Sequence, residues 1–572
     1  MRGAGKACGL LLALVAAAEG VAGEGAIHVD QLGYLPGSRK LALVEGVAGG
    51  RFQLLDVAGQ VVHEGGLSPG QVWSASGRLT ALADFSTVTA VGHYRLQVPG
   101  LEPSPPFPVQ ELAYAGLADA ALKAYYFARS GTALEAEHAG RHARPAGHPD
   151  TEVEVHPSAA TTSRPAGSIV AAPGGWYDAG DYNKYVVNSG ITTWTLLLAW
   201  EHFPDLFASR ELGIPESSNG VPDILDEVWW NLRWLLAMQD PVDGAVHHKL
   251  TTLHFEGEVM PHQARSRRYM VGKGTAAALD FAAVMARAAR VYAGYPQHFP
   301  GAAERMARAA QAAWDWARAH PDLAYAQPRE VSTGAYGDHR FDDEFAWAAA
   351  ELYLLTGRPD YLDAFGEHAA PIGVPSWAQV GALGWIALAG HRQELPAPLR
   401  ARVEAELDGI AGQLLARWQA SPGRLAMADD EFRWGSNAQV LNQALLLVQG
   451  YRLQGRREYL DAAQSQLDYV LGRNPLGLSF VTGQGTRSPL HIHHRPSMAD
   501  GVDEPVPGLL SGGPNPGQQD LKDCPGQRYP SSLPALAWID HACSYASNEV
   551  AINWNAPLVY VAAAVQALTP AP

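Results

Sequence analysis

Two aspartates three residues apart, Asp178 and Asp181, stand in the run Gly174-Gly175-Trp176-Tyr177-Asp178-Ala179-Gly180-Asp181-Tyr182-Asn183-Lys184. Gly180 between them permits a tight turn, so both carboxylates can face one pocket. Such a pair can activate a water, one oxygen accepting its proton while the other carboxylate orients it. Taken alone, the run reads more simply as a turn followed by an aspartate helix cap. A third acid, Glu549, lies near the C-terminus among Trp538, Asp540, Tyr545, Asn548, Asn553, Trp554 and Asn555, at the opening of the apolar run Val550 to Leu568. Packing against aromatic rings disfavours a carboxylate and raises its pKa, which suits a proton donor; a helix-capping glutamate is the plainer alternative. A third segment, Ser479 to Gly483 through Arg487, His491, His493, His494 and Arg495, offers donors for hydroxyls or for a carboxylate. Zinc ligation by its histidines is disfavoured, because adjacent and alternate histidines in a proline-rich loop lack usual ligand spacing.

The chain carries 16 Trp and 21 Tyr with a formal charge of −16. Flat aromatic faces suit sugar rings, whose axial C–H groups stack while their hydroxyls need fixed polar partners. Trp176, Tyr182, Trp434 and Trp554 are the candidate platforms, with loop or core packing as the alternative for each. A negative chain offers no cationic footprint for phosphates, so nucleic acid is not an expected partner. Asp338, Asp342, Asp343 and Glu344 supply hard oxygen ligands of the kind calcium takes, or simply an acidic helix start.

These groups must be positioned by the rest of the chain. Arg2 and Lys6, the apolar Ala7 to Ala18 and the small residues up to Gly23 have the layout of a cleavable secretory leader over residues 1–23. No later stretch is apolar for long enough to span a membrane, so no membrane partner is expected. Of three cysteines, Cys8 leaves with the leader; Cys524 and Cys543 could form a disulfide in an oxidising compartment. Short β-rich runs at Lys40 to Glu45, Phe52 to Val57 and Tyr94 to Val98, separated by turns, predict a small immunoglobulin-like β-sandwich over 24–108, with Glu102 to Pro108 as a stiff connector. From Leu112 the period becomes helical. Twelve segments follow, near 112–130, 188–205, 221–240, 274–293, 299–320, 342–357, 359–370, 375–391, 396–415, 436–455, 456–472 and 549–568. They predict a mainly α domain over 109–572, six hairpins closed into an (α/α)6 barrel, although the count also allows an open solenoid. Long loops at 131–187 and 473–546 predict a site built at one end of that barrel.

The three chemical segments together resemble glycoside hydrolase family 9, the inverting cellulases, including bacterial members with an N-terminal immunoglobulin-like domain. The resemblance covers nearly the whole mature chain. It implies Asp181 as base on the attacking water, Asp178 as a second holder of that water, and Glu549 as the acid. His493 and Arg495 match the family's substrate-contacting pair, and Asp540 and Tyr545 match signature positions close to the acid. Inversion needs roughly 6.5–9.5 Å between acid and base. Asp343 and Glu344 look similar to a family calcium site; no cofactor is required for the chemistry. Some relatives bind zinc through two Cys and two His before the paired aspartates, where this chain has Ser130, His138, His142, His148 and His156 and no cysteine, so that zinc is expected to be lost. The implied activity is endo-β-1,4-glucanase on cellulose or related β-glucans, by a secreted or periplasmic monomer. Exo-acting β-glucosidase, cellodextrinase or β-glucosaminidase action on the same scaffold is the alternative. A non-catalytic glucan-binding protein is disfavoured, because clustered carboxylates in a sugar groove carry a desolvation cost that binding alone does not require.

Overall fold

The computed structural model describes residues 25–572, so the leader read at 1–23, with Cys8, lies outside it. The first part is a sandwich of two four-stranded sheets. One holds Ile27–His28, Leu41–Glu45, Arg78–Asp84 and Gln71–Trp73 in that order; the other holds Val61–Gly66, Arg51–Leu55, Gly92–Gln97 and Phe107–Val109, and all pairs are antiparallel. Alternation explains which faces meet. In Arg51–Leu55, Phe52 and Leu54 are fully buried while Arg51 is exposed. Phe107–Val109 corrects one expectation: the proline-rich stretch ends as a strand paired with Gly92–Gln97 rather than as a free connector. Proline fits there because this strand lies at the sheet's edge.

Leu41–Glu45 is buried along its whole length because its two faces serve two cores. Ala42 and Val44 join Phe52, Leu54 and Leu96 inside the sandwich, while Leu41 and Leu43 join the larger helical core. Polar contacts seal the junction. The Gln31 side chain accepts from the backbone of Thr486 (2.8 Å) and Arg487 (2.9 Å) and donates to Gly477, and the Tyr114 hydroxyl bridges Asp30 and Asp468.

Among the described residues, twelve helices of ten residues or more follow in strict alternation of outer and inner, with four shorter ones in the loops. The outer six are Ala115–Ala128, Asp223–Met238, Ala302–Ala319, Pro359–His368, Ala397–Ala420 and Arg457–Val470. The inner six are Val186–His202, Thr275–Tyr292, Asp342–Thr356, Gly381–Gly390, Ser436–Gln454 and Ile552–Leu568. Sequence separates the rings. Ala302–Ala319 buries one stripe, Met306, Ala309, Ala310, Ala313, Trp314 and Ala317, whereas Thr275–Tyr292 is buried on nearly every side. The last inner helix packs on both Val186–His202 and Ala115–Ala128, which closes the ring and excludes the open solenoid. The inner helices begin beside the loops that carry Asp181, Tyr336, Trp377, Trp434 and Glu549, so the site sits at the end where these helices start.

The loops between helices are less irregular than their sequence suggested. Ile169–Val170, Val153–Val155, Tyr269–Lys273, His247–Thr251 and Lys184–Tyr185 form a five-stranded sheet in that order over the catalytic end. Cys524 and Cys543 are joined by a disulfide, Cα to Cα 5.3 Å.

Candidate active site

Three distant segments are drawn together by their backbones. Arg495 N–H donates to Gly180 carbonyl (3.1 Å), His493 N–H to Asn548 carbonyl (2.9 Å), and Ile552 N–H to Asp178 carbonyl (2.8 Å). Gly180 is required by this close approach, since a Cβ there would lie 2.4 Å from the His493 carbonyl oxygen and 3.3 Å from Glu549 Oε1. Glu549 does not open the final helix as its position suggested. That helix starts at Ile552, and Glu549 is extended, bridged to His493 on one side while its carbonyl accepts from Gly512 on the other (2.8 Å). The extended backbone lets the carboxyl project from between two loops instead of along a helix.

Asp178, Asp181 and Glu549 line one cavity of 670 Å3 with Tyr185, Phe255, Tyr336, Trp377, Trp434, His493, Arg495, Tyr545, Asn553 and Trp554. Asp178 accepts from Asn188 Nδ2 (2.9 and 3.1 Å) and the Tyr336 hydroxyl (2.9 Å). Burial and the neighbouring Asp181 nevertheless push its carboxyl up to about 8. Asp181 is bound by Asn183 and, at 3.4 Å, by the Tyr185 hydroxyl; Asn183 is itself fixed by Thr251 and Thr252 on the five-stranded sheet. Burial raises Asp181 too, and Arg495 is the first group to oppose that rise. Glu549 is pushed up to about 8, first by burial, then by the charges of Asp181 and Asp178, with the Gly180 N–H only partly offsetting them.

His493 donates from Nδ1 to the Ala542 carbonyl (2.6 Å), leaving Nε2 as an acceptor, and burial lowers its pKa so that it stays neutral. Arg495 is clamped by the Gly180 and Glu256 carbonyls (both 2.8 Å) and lies 5.5 Å over the Phe255 ring. Trp434, 43 % exposed, packs on Tyr545 at 5.2 Å, and Tyr545 is tied to Asp523 (2.8 Å) beside the disulfide. Trp554 lies against Gly435 and Gly512, where any side chain would press on its indole.

Several expected residues sit elsewhere. Trp176 is fully buried, its Nε1 donating to Glu227 (2.8 Å), and Tyr182 is buried with its hydroxyl on the Val259 carbonyl; neither faces the cavity, because the turn that aims the aspartates inward aims these rings into packing. Asp540 also lies off the cavity and positions the loop, accepting from Leu490 N–H (2.9 Å) and His491 N–H (2.8 Å). Asp343 accepts from Val380 N–H (2.8 Å), and among the described residues no group of three or more His, Cys, Asp or Glu is arranged to hold a metal. In the loop before the aspartates, His142 pairs with Asp500 (2.9 Å), His148 with the Tyr177 hydroxyl (2.9 Å), and Asp150 with Lys184 and Arg268. The sequence reading missed Tyr336, Trp377, Phe255 and Tyr185. Tyr336 and Trp377 are aromatics in Gly- or Pro-containing loops just before an apolar helix, a signal that could have found them.

A helical barrel with three carboxyls in an aromatic-lined cleft defines a carbohydrate-cleaving class of enzyme. Residues 114–562 match Glycosyl hydrolase family 9 and residues 22–103 match the Cellulase N-terminal ig-like domain. The chain belongs to glycosyl hydrolase family 9. It is 43 % identical over 560 residues to the xyloglucan-specific endo-beta-1,4-glucanase BoGH9A of Bacteroides ovatus, covering 95 % of this chain and 94 % of that one. It is 32 % identical to Endoglucanase D of Acetivibrio thermocellus, over 94 % of this chain and 83 % of the relative. The solved structure of a Bacteroides ovatus family 9 enzyme superimposes with a TM-score of 0.89 at 41 % identity, over 95 % of this chain and 99 % of that one. A structure described as a Zn-binding triple mutant of the family 9 endoglucanase J30 has a TM-score of 0.87 at 31 % identity, over 93 % and 99 % of the two chains.

Proposed function

We propose that Asp181 deprotonates the attacking water, Asp178 orients it and Glu549 protonates the departing glycosidic oxygen, in an endo-β-1,4-glucanase that inverts the anomeric centre. The observation that carries this assignment is the unequal environment of three carboxyls in one cavity. Burial raises all three, Asp178 and Glu549 to about 8; Arg495 is the first group to oppose that rise at Asp181 but the last at Glu549, where both aspartates add to it, so Glu549 keeps a proton near neutral pH and Asp181 is the better placed to lose one. Neutral His493 and clamped Arg495 stand ready to receive sugar hydroxyls. The substrate we propose is a branched β-1,4-glucan of the xyloglucan kind, which the name of the Bacteroides ovatus relative supports. Export to an oxidising compartment is supported by the Cys524–Cys543 disulfide. Calcium at Asp343 and Glu344 is a finer reading. Its support is that both Asp280 carboxyl oxygens and Glu344 Oε2 are buried without partners; a Tm unchanged by calcium after chelation would remove it.

The deciding measurement is proton NMR of the enzyme digesting a cello-oligosaccharide and a xyloglucan oligosaccharide. The α-anomer appearing first, with mixed product lengths, is the expected result. An initial β-anomer would overturn the role of Asp181, and stepwise release of glucose would replace endo with exo action.

A further inference from the structure

Beside the catalytic cavity lies a second hollow of 500 Å3, which shares Trp377, Trp434, Asn553 and Trp554 with it. The hollow descends into the barrel. Ile191, the sixth residue of Val186–His202, and Asn442, the seventh of Ser436–Gln454, both line it, which places its floor roughly 8–9 Å below the helix starts. A linear glucan crossing the cleft does not follow such a path, because its backbone needs an exit at each end. A group hanging from the backbone does.

The lining shows what that group is. Gln379, Gln439 and Asn442 form one polar wall, and no side-chain hydrogen bond engages their amides among the described residues. Asn553, 8 % exposed, has its Oδ1 buried without a partner at the junction of the two hollows. Asn442 is buried and Gln439 half-buried, and a packed amide normally finds a partner; with the exposed Gln379 at the mouth they present both donors and acceptors to the empty side. Indole faces at Trp434 and Trp554 complete the pairing of apolar face and fixed polar groups that a sugar ring requires. The rim carries Asp338 together with Arg340 and Arg433, charges of both signs, which gives no preference for an ionised substituent.

We propose that this well binds a neutral pendant sugar, a pentose or hexose branch on the β-1,4-glucan backbone being cut; the proposal rests on the endoglucanase reading and deepens it. The well makes a branch an attractive contact instead of an obstacle, so it selects among glucans without touching the reacting bond.

The test fills the well from two walls, with Ala378→Phe on the half-buried loop and Ala438→Leu on the helix, and compares kcat/KM on unbranched cellohexaose with that on a xylosylated oligosaccharide of equal backbone length. The wild type should prefer the branched substrate. Each variant should lose about tenfold or more on it while staying within about twofold on cellohexaose, the scale on which a filled pocket discriminates. Equal losses on both substrates in both variants, or no loss on either, would overturn the proposal. A wild type indifferent to branching but active on cellohexaose would also overturn it and leave the endoglucanase standing, whereas inactivity on both substrates would remove the reading beneath it.

Discussion

Glu549 holds its proton for reasons that can be separated by experiment. Burial comes first and the two aspartates second, and both raise its pKa, to about 8. On the proposed role the acid form is the working form, so turnover of natural glucan should persist below that value and fall as pH rises through about 8. A rate profile on an aryl glycoside whose leaving group needs no proton should lack that limb. Glu549→Gln should accordingly lower kcat on glucan by about 10²–10⁴-fold and spare the activated aryl substrate, as measured by steady-state kinetics on the two; equal losses would remove Glu549 from the acid role. The paired aspartates and Glu549 were legible in the sequence only through the resemblance of their segments taken together, since each alone reads as a turn or a helix cap; the structure brings all three to one cavity. Trp176 and Tyr182 were misread for a physical reason: the side on which a ring emerges from a turn is decided by what packs beyond it, here Glu227 and the Val259 carbonyl. Asp540 shows the same limit, since its partners Leu490 and His491 lie about fifty residues away along the chain.

Helices were the most legible elements, every one of the twelve falling within a few residues of its predicted span apart from looser ends such as Gly381–Gly390, because an apolar face recurring every three to four residues is written in the sequence itself. The five-stranded sheet was not, since strands of two to five residues bring together positions as far apart as Ile169 and Tyr269 and leave little local pattern. That sheet shares its anchor with the loop 131–175. Asp150 pairs with Lys184 Nζ (2.7 Å) and Arg268 Nε (3.1 Å), all three buried, and although burial opposes its charge, the two cations hold Asp150 at about 2. This loop, which has no cysteine, is closed by a buried ion cluster. Asp150→Asn should leave two cations without their counter-charge and destabilise the protein by about 3–5 kcal/mol, read by thermal melting, with the Lys184 strand exchanging its amide hydrogens faster. An unchanged melt would show the loop to be held by packing alone.

At the scale of the molecule, the sandwich is an integral wall of the enzyme, since Leu41 and Leu43 belong to the barrel's core. Its junction encloses two carboxyls, Asp30 and Asp468; burial holds both above their ordinary range, joined at Asp30 by the charge of Asp468, while Asp468 stands at about 7 although Arg473 and hydrogen bonding pull it down. Raised acids favour the docked state when protonated. Their contribution is therefore complete below about pH 4, near the ordinary value, and fades as pH climbs through about 7. Asp30→Asn keeps the acceptor that Leu32 N–H uses (2.8 Å) and removes the repulsion, so it should raise Tm by a few degrees at pH 8 and change it little at pH 4.5. The reverse pattern would show the pair to be ionised in the folded protein. One feature of the barrel bears on all three clustered carboxyls. Each inner helix starts at the catalytic end, and a helix start carries about half a positive charge from its aligned peptide dipoles. The starts at Val186 and Ile552 follow Asp181 and Glu549 within a few residues, so their positive ends oppose, in sign, the rise that burial imposes on these carboxyls. The scaffold thus supplies a standing electric field that lets acids cluster out of reach of water, and the same field must favour negative charge as it builds on the departing oxygen.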